Sequence, residues 1–177
     1  EGGEQLPAHL HEISNANFHC SPAARQNPDG SFTIAAMTGT ASFRFSKWLD
    51  DWFRISKAKI IIGKGGMTSK DYKEHFVPHG AIYLTTVGYG TGALLGRGIK
   101  GIRDVHWFDE LGVAQAMWMV EVENFGPFIA DSDLQGNSLF ERETEKAKAG
   151  IAKLYEGTKS PALHRYGETD DRGDEVI

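Results

Sequence analysis

Ile60-Ile61-Ile62-Gly63-Lys64-Gly65-Gly66-Met67 is the stretch on which the fold turns. Its run of β-branched residues predicts a strand over Ala58–Ile62. The three glycines that follow predict an abrupt turn whose backbone reaches dihedrals closed to other residues and lies close to a ligand. Thr68 or Ser69 can cap the segment after the turn. Asp71 and Glu74 sit near its start, where carboxylates favour a helix N-terminus. The segment runs to Phe76, and Pro78 and Gly80 stop it. Two functional readings stand side by side here. In one, Lys64 is a point charge on a carboxylate or phosphate, supported by free amides at the helix start. In the other, the stretch is a tight strand-to-helix turn with a lysine in solvent. Its spacing matches neither the dinucleotide fingerprint nor the nucleotide P-loop.

Upstream, Phe32–Met37 predicts a short strand that ends at Thr38-Gly39-Thr40. Phe45, Trp48, Leu49, Trp52 and Ile55 then recur at helical spacing, which predicts a helix over Phe45–Ile55. Within Thr38–Arg44, Thr40 and Ser42 offer hydroxyls and Arg44 can grip a carboxylate with two parallel hydrogen bonds. The competing reading makes Thr40 or Ser42 a helix cap and Arg44 a solvated residue. A threonine base also needs an activating partner or a charged ligand nearby.

Downstream, Ala81–Val87 predicts another strand, which feeds Gly88-Tyr89-Gly90-Thr91-Gly92 and a short helix from Ala93 to Leu95. That glycine-rich loop reads either as substrate-facing or as a turn needing special dihedrals. Val105–Phe108 reads as a strand or turn. Ala116–Val122 alternates as a strand does. Phe128–Ala130 reads as an edge strand, Asp133–Asn137 as a turn, and Thr144–Tyr155 as a surface helix. The whole is an α/β domain of layered architecture. Three strand ends each carry a polar or glycine-rich turn, and ligands of such sheets collect at strand ends. Residues 1–30, with Pro7, Pro22 and Asn27-Pro28-Asp29-Gly30, are expected to be irregular. Residues 31–156 form the predicted domain, and 157–177 a polar tail.

Composition narrows the function classes. A chain of 177 residues suffices for one full-sized core. Its formal net charge of -5 argues against nucleic acid or an anionic membrane as the main partner. Ile60-Ile61-Ile62 is far too short to span a bilayer. Cys20 is the single cysteine, so no intrachain disulfide forms, which points to a reducing, cytoplasmic setting. One thiolate does not hold an iron–sulfur cluster. No signal peptide is read at the polar start. His9, His11 and His19 are expected at the surface. His75, His79, His106 and His164 form no metal motif with them. Cys20 and the four tryptophans Trp48, Trp52, Trp107 and Trp118 read as packing residues.

Taken in order, these motifs resemble the C-terminal domain, or β subunit, of the iron–sulfur-dependent class I fumarate hydratases and L-tartrate dehydratases. The strongest match is Ile60–Met67, followed by His79-Gly80-Ala81-Ile82-Tyr83-Leu84. Val105–Gly112, Met117–Phe125 and the Asp133–Asn137 turn match in the same order, and the resemblance covers about residues 30–140. It implies the swivelling β/β/α domain fold and a hydro-lyase of a small dicarboxylate. It also implies a [4Fe-4S] cluster held through three cysteines of a partner α subunit or N-terminal domain, in a homo- or hetero-oligomer. The family's threonine, arginine and lysine fall on Thr40, Arg44 and Lys64. The resemblance thus makes Thr40 the base, with Arg44, Lys64 and the flanking Gly63 and Gly65 holding substrate carboxylates. Gly39 and Ala41 stand where the family has a proline and a second threonine, and Phe43 and Phe45 flank Arg44. The family's upstream "RD.AH" segment finds no counterpart, and Glu1-Gly2-Gly3 resembles the stretch just after it. The chain is therefore expected to be a fragment, or a member that lost part of the site, and to be inactive alone. A non-catalytic, small-anion-binding relative is the alternative.

Overall fold

A computed structural model describes residues 10–88 and 90–157. Pro7, His9, Tyr89, His164 and the tail beyond residue 157 lie outside these described residues. Helix α1 (Leu10–Ile13) precedes strands β1 (Ala16–Phe18), β2 (Cys20–Gln26) and β3 (Phe32–Gly39). A 3-10 segment over Ser42–Trp48 runs into α2 (Leu49–Ser56), and β4 (Ile60–Gly63) follows. After the glycine turn come α3 (Ser69–Asp71), a π turn over Tyr72–Phe76 and a 3-10 turn over Val77–His79. The order closes with β5 (Ile82–Thr86), α4 (Thr91–Gly98), β6 (Ile99–His106), α5 (Phe108–Leu111), β7 (Met117–Val122), β8 (Phe128–Ala130) and α6 (Leu139–Leu154). A first compact unit runs through Arg142, and a second begins at Glu143. The described part of the second is the later portion of α6 and the residues just after it, all exposed, with a Lys146–Glu143 ion pair at 2.9 Å.

The first unit is the layered α/β domain that the sequence predicts. Its main sheet has the order β1-β4-β5-β8. β4 lies parallel to β1 and β5, while β8 pairs antiparallel on the far side of β5. β2–β3 and β6–β7 are separate antiparallel hairpins. Ile61 is fully buried in β4, as a strand flanked on both sides requires. It joins Leu49, Phe53, Ala58, Met67, Tyr72, Phe76, Ala81 and Tyr83 in the main core cluster. Phe76 meets Phe53 and Tyr72 edge-to-face, with ring centroids 5.1 and 5.3 Å apart. Thr68 caps the segment after the turn in a complete capping box with Asp71. Gly80 ends it in the left-handed region. Among the described residues no helix is long and apolar enough to cross a membrane.

The structure departs from the sequence reading at several elements. Residues 16–26, read as irregular, are β1 and β2. The strand β1 is three residues long and owes its conformation to the adjacent β4, a partner more than forty positions away. Pro22 sits within β2, which has only one neighbouring strand, so its missing N–H can face the unpaired edge. The predicted helix over Phe45–Ile55 is two elements. In a 3-10 turn positions three apart share a face, so Phe45 and Trp48 leave the core together, while Leu49, Phe53 and Ser56 form the buried stripe of α2. Trp48 and Trp107 are exposed, against the packing role read for them, whereas Trp118 meets Phe32 and Phe108 edge-to-face. β6 begins at Ile99, six positions before the predicted strand. Its pairing to β7 carries two register irregularities that break the alternation. α6 starts at Leu139, because Ser138 Oγ accepts the Glu141 N–H at 3.1 Å and caps it.

Candidate functional site

The glycine–lysine turn is held by a lattice of main-chain hydrogen bonds between three distant segments. The His19 N–H donates to the Ile62 carbonyl at 2.8 Å, the Thr40 N–H to the His19 carbonyl at 2.6 Å, and the Lys64 N–H to the Thr40 carbonyl at 3.0 Å. Ala41 and Lys64 form a parallel bridge. The ends of β1, β3 and β4 therefore converge, and Thr40 lies directly beside Lys64 in the backbone. Gly39 helps this convergence: a Cβ there would lie 3.1 Å from Thr86 Cγ2 and 3.2 Å from the Gly63 carbonyl oxygen.

Gly63 has no room for a side chain. A Cβ would collide with Ser42 Oγ and the Tyr83 hydroxyl and lie 3.1 Å from the Thr40 carbonyl oxygen. Gly65 is a glycine for the other reason: its φ is +70°, with nothing near the position a Cβ would take. The sequence marked both as anion-cradling residues. In the structure Gly63 is where two strand ends and a tyrosine meet, and Gly65 is the exposed apex beside the exposed Lys64.

Arg44 lies on the 3-10 segment after Thr40 and is exposed, while Thr40 is half-buried. Among the described residues neither Arg44 nor Lys64 forms an ion pair, so both cations are available to an anion. Ser42 is fully buried and anchors the base of that segment. The loop at Gly88–Gly92, the third strand-end candidate, holds Gly88 and Gly90 in positive φ. A Cβ on Gly92 would lie 3.0 Å from Thr38 Oγ1, so this loop reads best as a turn that lets α4 close on β3.

Sequence reading missed the polar network behind the turn. Tyr83 donates its hydroxyl to Ser42 Oγ at 3.1 Å, with the Lys64 carbonyl 3.5 Å away. Ser42 Oγ lies 2.8 Å from His19 Nδ1. Ser42 Oγ thus bridges the Tyr83 hydroxyl and the His19 ring. His19, expected at the surface, is half-buried against Phe45. Burial lowers its pKa to about 4, so the ring is neutral near pH 7. Burial likewise raises the Tyr83 phenol, and pushes the Cys20 thiol up to about 12, in keeping with a packing role. Nothing in the sequence around His19 or Tyr83 marks either as part of this network, because its side-chain contacts span 19 to 41 positions.

The His19 shift makes a measurable prediction. An unfolded chain takes up a proton near pH 6.5 that the native ring resists until about pH 4. The stability supplied by the neutral ring is thus complete above pH 6.5 and lost as the pH falls through that window. The loss reaches about 2 kcal/mol by pH 5. Urea unfolding of wild type and His19→Gln at pH 7 and pH 5 isolates it. The wild-type stability should drop by that much more than the variant's, and equal drops would exclude the assignment.

Among the described residues no group of three His, Cys, Asp or Glu side chains is arranged to hold a metal ion. Cys20 is the one thiol in the sequence. The residues present therefore do not fit a resident iron–sulfur cluster.

Comparison with known proteins places these features in a family context. A family model described as the fumarase C-terminus matches residues 1–143. A putative L(+)-tartrate dehydratase subunit beta of Methanocaldococcus jannaschii is 34% identical over 154 residues, 87% of this chain and 76% of that protein. The L(+)-tartrate dehydratase subunit beta of Escherichia coli is 29% identical over 126 residues, 70% of this chain and 60% of the relative. A putative fumarate hydratase class I of Geobacillus stearothermophilus is 29% identical over 137 residues, covering 77% of this chain but only 25% of its own length.

Proposed function

Since the chain belongs to the fumarase C-terminus family, we propose that it is the substrate-gripping β component of a hydro-lyase acting on a small dicarboxylate of the fumarate/malate or tartrate type. The observation that carries this reading is the Lys64 N–H to Thr40 carbonyl bond, which joins the main chains of these two residues from separate segments at one strand-end edge. The relatives' names support the reaction class, as two are named as L(+)-tartrate dehydratase beta subunits and one as a class I fumarate hydratase.

On this reading Arg44 and Lys64 each hold a substrate carboxylate. Arg44 does so with two parallel donors, and Lys64 as a point charge at the apex of its turn. The same cations oppose the negative charge that grows on a carboxylate when the neighbouring carbon loses its proton. The Thr40 hydroxyl, its own proton taken by an acidic residue of the partner, removes that proton in one direction and returns it in the other. Gly63 and Gly65 shape the cradle. The [4Fe-4S] cluster belongs to a partner α subunit or N-terminal domain, because this chain's residues do not fit one, and no step of this chain is routed through it. The setting is cytoplasmic on the same reading.

Anaerobic reconstitution with a partner carrying three cluster cysteines tests the proposal. The pair should hydrate fumarate or dehydrate L-tartrate, and neither component alone should. A reconstituted pair that turns over neither acid, and a chain that binds neither, would favour the non-catalytic alternative.

A further inference from the structure

The turn is braced at both ends. Ser42 and Tyr83 hold its entry at Gly63. Its exit is held by a second, separate pair that neither the glycine motif nor the site residues include. Asp131 is 2% exposed and Tyr72 fully buried. The Tyr72 hydroxyl donates to Asp131 Oδ2 and accepts the Met67 N–H at 2.9 Å. Asp131 Oδ1 accepts from the Phe140 N–H at 2.9 Å and from Ser138 Oγ at 3.1 Å. A Cβ on Gly66 would lie 2.6 Å from Asp131 Oδ2, so the carboxylate sits directly against the turn. Each oxygen thus faces only donors, and each proton in the chain Met67 N–H, Tyr72 O–H has one acceptor.

We propose that Asp131 is a positioning residue for Lys64. It orients the Tyr72 hydroxyl, which holds the Met67 amide and so sets the exit of the turn on which Lys64 rides. A buried carboxylate is costly to place unless fully hydrogen-bonded, and here one oxygen is tied to Ser138 and Phe140 while the other, through Tyr72, reaches the exit of the turn. The donor count makes the device sensitive to one atom. An asparagine with its amide nitrogen toward Tyr72 gives the hydroxyl a second donor and orphans its proton. The reverse orientation aims the NH₂ at the Phe140 N–H. Neither orientation restores the network.

The inference rests on the proposed role of Lys64, so its test has one arm that needs no activity. In the full chain, Tyr72→Phe and Asp131→Asn should speed amide exchange at Gly65, Gly66 and Met67 by ~10-fold, with Ile61 and Tyr83 amides slow. Unchanged exchange at Met67, or a rise spread evenly over the core strands, overturns the proposal. In the reconstituted pair, Tyr72→Phe should raise KM for fumarate or L-tartrate by ~10-fold. It should raise it no further when Lys64 is already alanine. A merely structural role would lower the amount of folded enzyme and leave KM alone, and that result, or equal effects in both backgrounds, also overturns it. If the wild-type pair is inactive, the hydro-lyase reading fails and the exchange arm alone decides for or against Asp131.

Discussion

Thr40→Ala is expected to lower kcat of the reconstituted pair by about 10³-fold, the scale of a lost general base, with KM changed by no more than about threefold. The expectation follows from where the hydroxyl sits. Thr40's main chain is locked between the His19 carbonyl and the Lys64 N–H, so truncating its side chain leaves the strand-end lattice in place. The same comparison separates the roles. Lys64→Ala and Arg44→Ala remove carboxylate grips made before and during reaction, so they should raise KM as well as lower kcat/KM. Steady-state kinetics on the three variants, with folding checked by circular dichroism, tests the set. Activity that survives all three substitutions would remove these residues from the chemistry and leave the turn as a structural feature.

Gly63→Ala should be the most destabilising single change at the site, costing about 3 kcal/mol or more. The added methyl would meet Ser42 Oγ and the Tyr83 hydroxyl at once. Neither can swing aside cheaply, since Ser42 and Tyr83 are fully buried and hydrogen-bonded to each other. Gly65→Ala is the control. Its Cβ would enter open space, so only the strain of φ +70° remains, about 1 kcal/mol. Urea midpoints of the two variants should differ accordingly. Equal losses would mean that the crowding at Gly63 relaxes and that the turn is less tightly clamped than it appears in the hydrogen-bond lattice.

The legible part of the site was local chemistry. Lys64 within glycines after a β-branched strand, and Thr40 and Arg44 after another, announce themselves by residue type and by position at strand ends. The Asp133–Asn137 turn was equally legible: the Asp133 carboxylate accepts the Gln135 and Asn137 N–H groups, both at 2.9 Å, a local bond any Asp in that setting can make. The supporting shell was not. Ser42, Tyr72, Tyr83 and Asp131 touch the turn and His19 reaches it through Ser42, from five different elements or loops, and a lone histidine or a strand tyrosine looks the same in sequence whether it faces solvent or a buried polar network. β1 and β2 were lost for a related reason. Short strands with a proline carry little periodicity of their own and take their form from β4 and β3.

The sequence by itself determined the α/β class, the strand–turn–helix unit around Gly63-Lys64-Gly65-Gly66, and the family to which the chain belongs. Those properties follow from residue type and near-neighbour spacing, which act within a few positions of the chain. Only the tertiary structure decided that Thr40 and Lys64 share an edge, that Gly63 is a point of close approach while Gly65 is a free apex, and that Asp131 and Tyr72 stand behind the turn. Those depend on hydrogen bonds between residues 20 to 60 positions apart, and such pairing is chosen by the whole core rather than by any one segment.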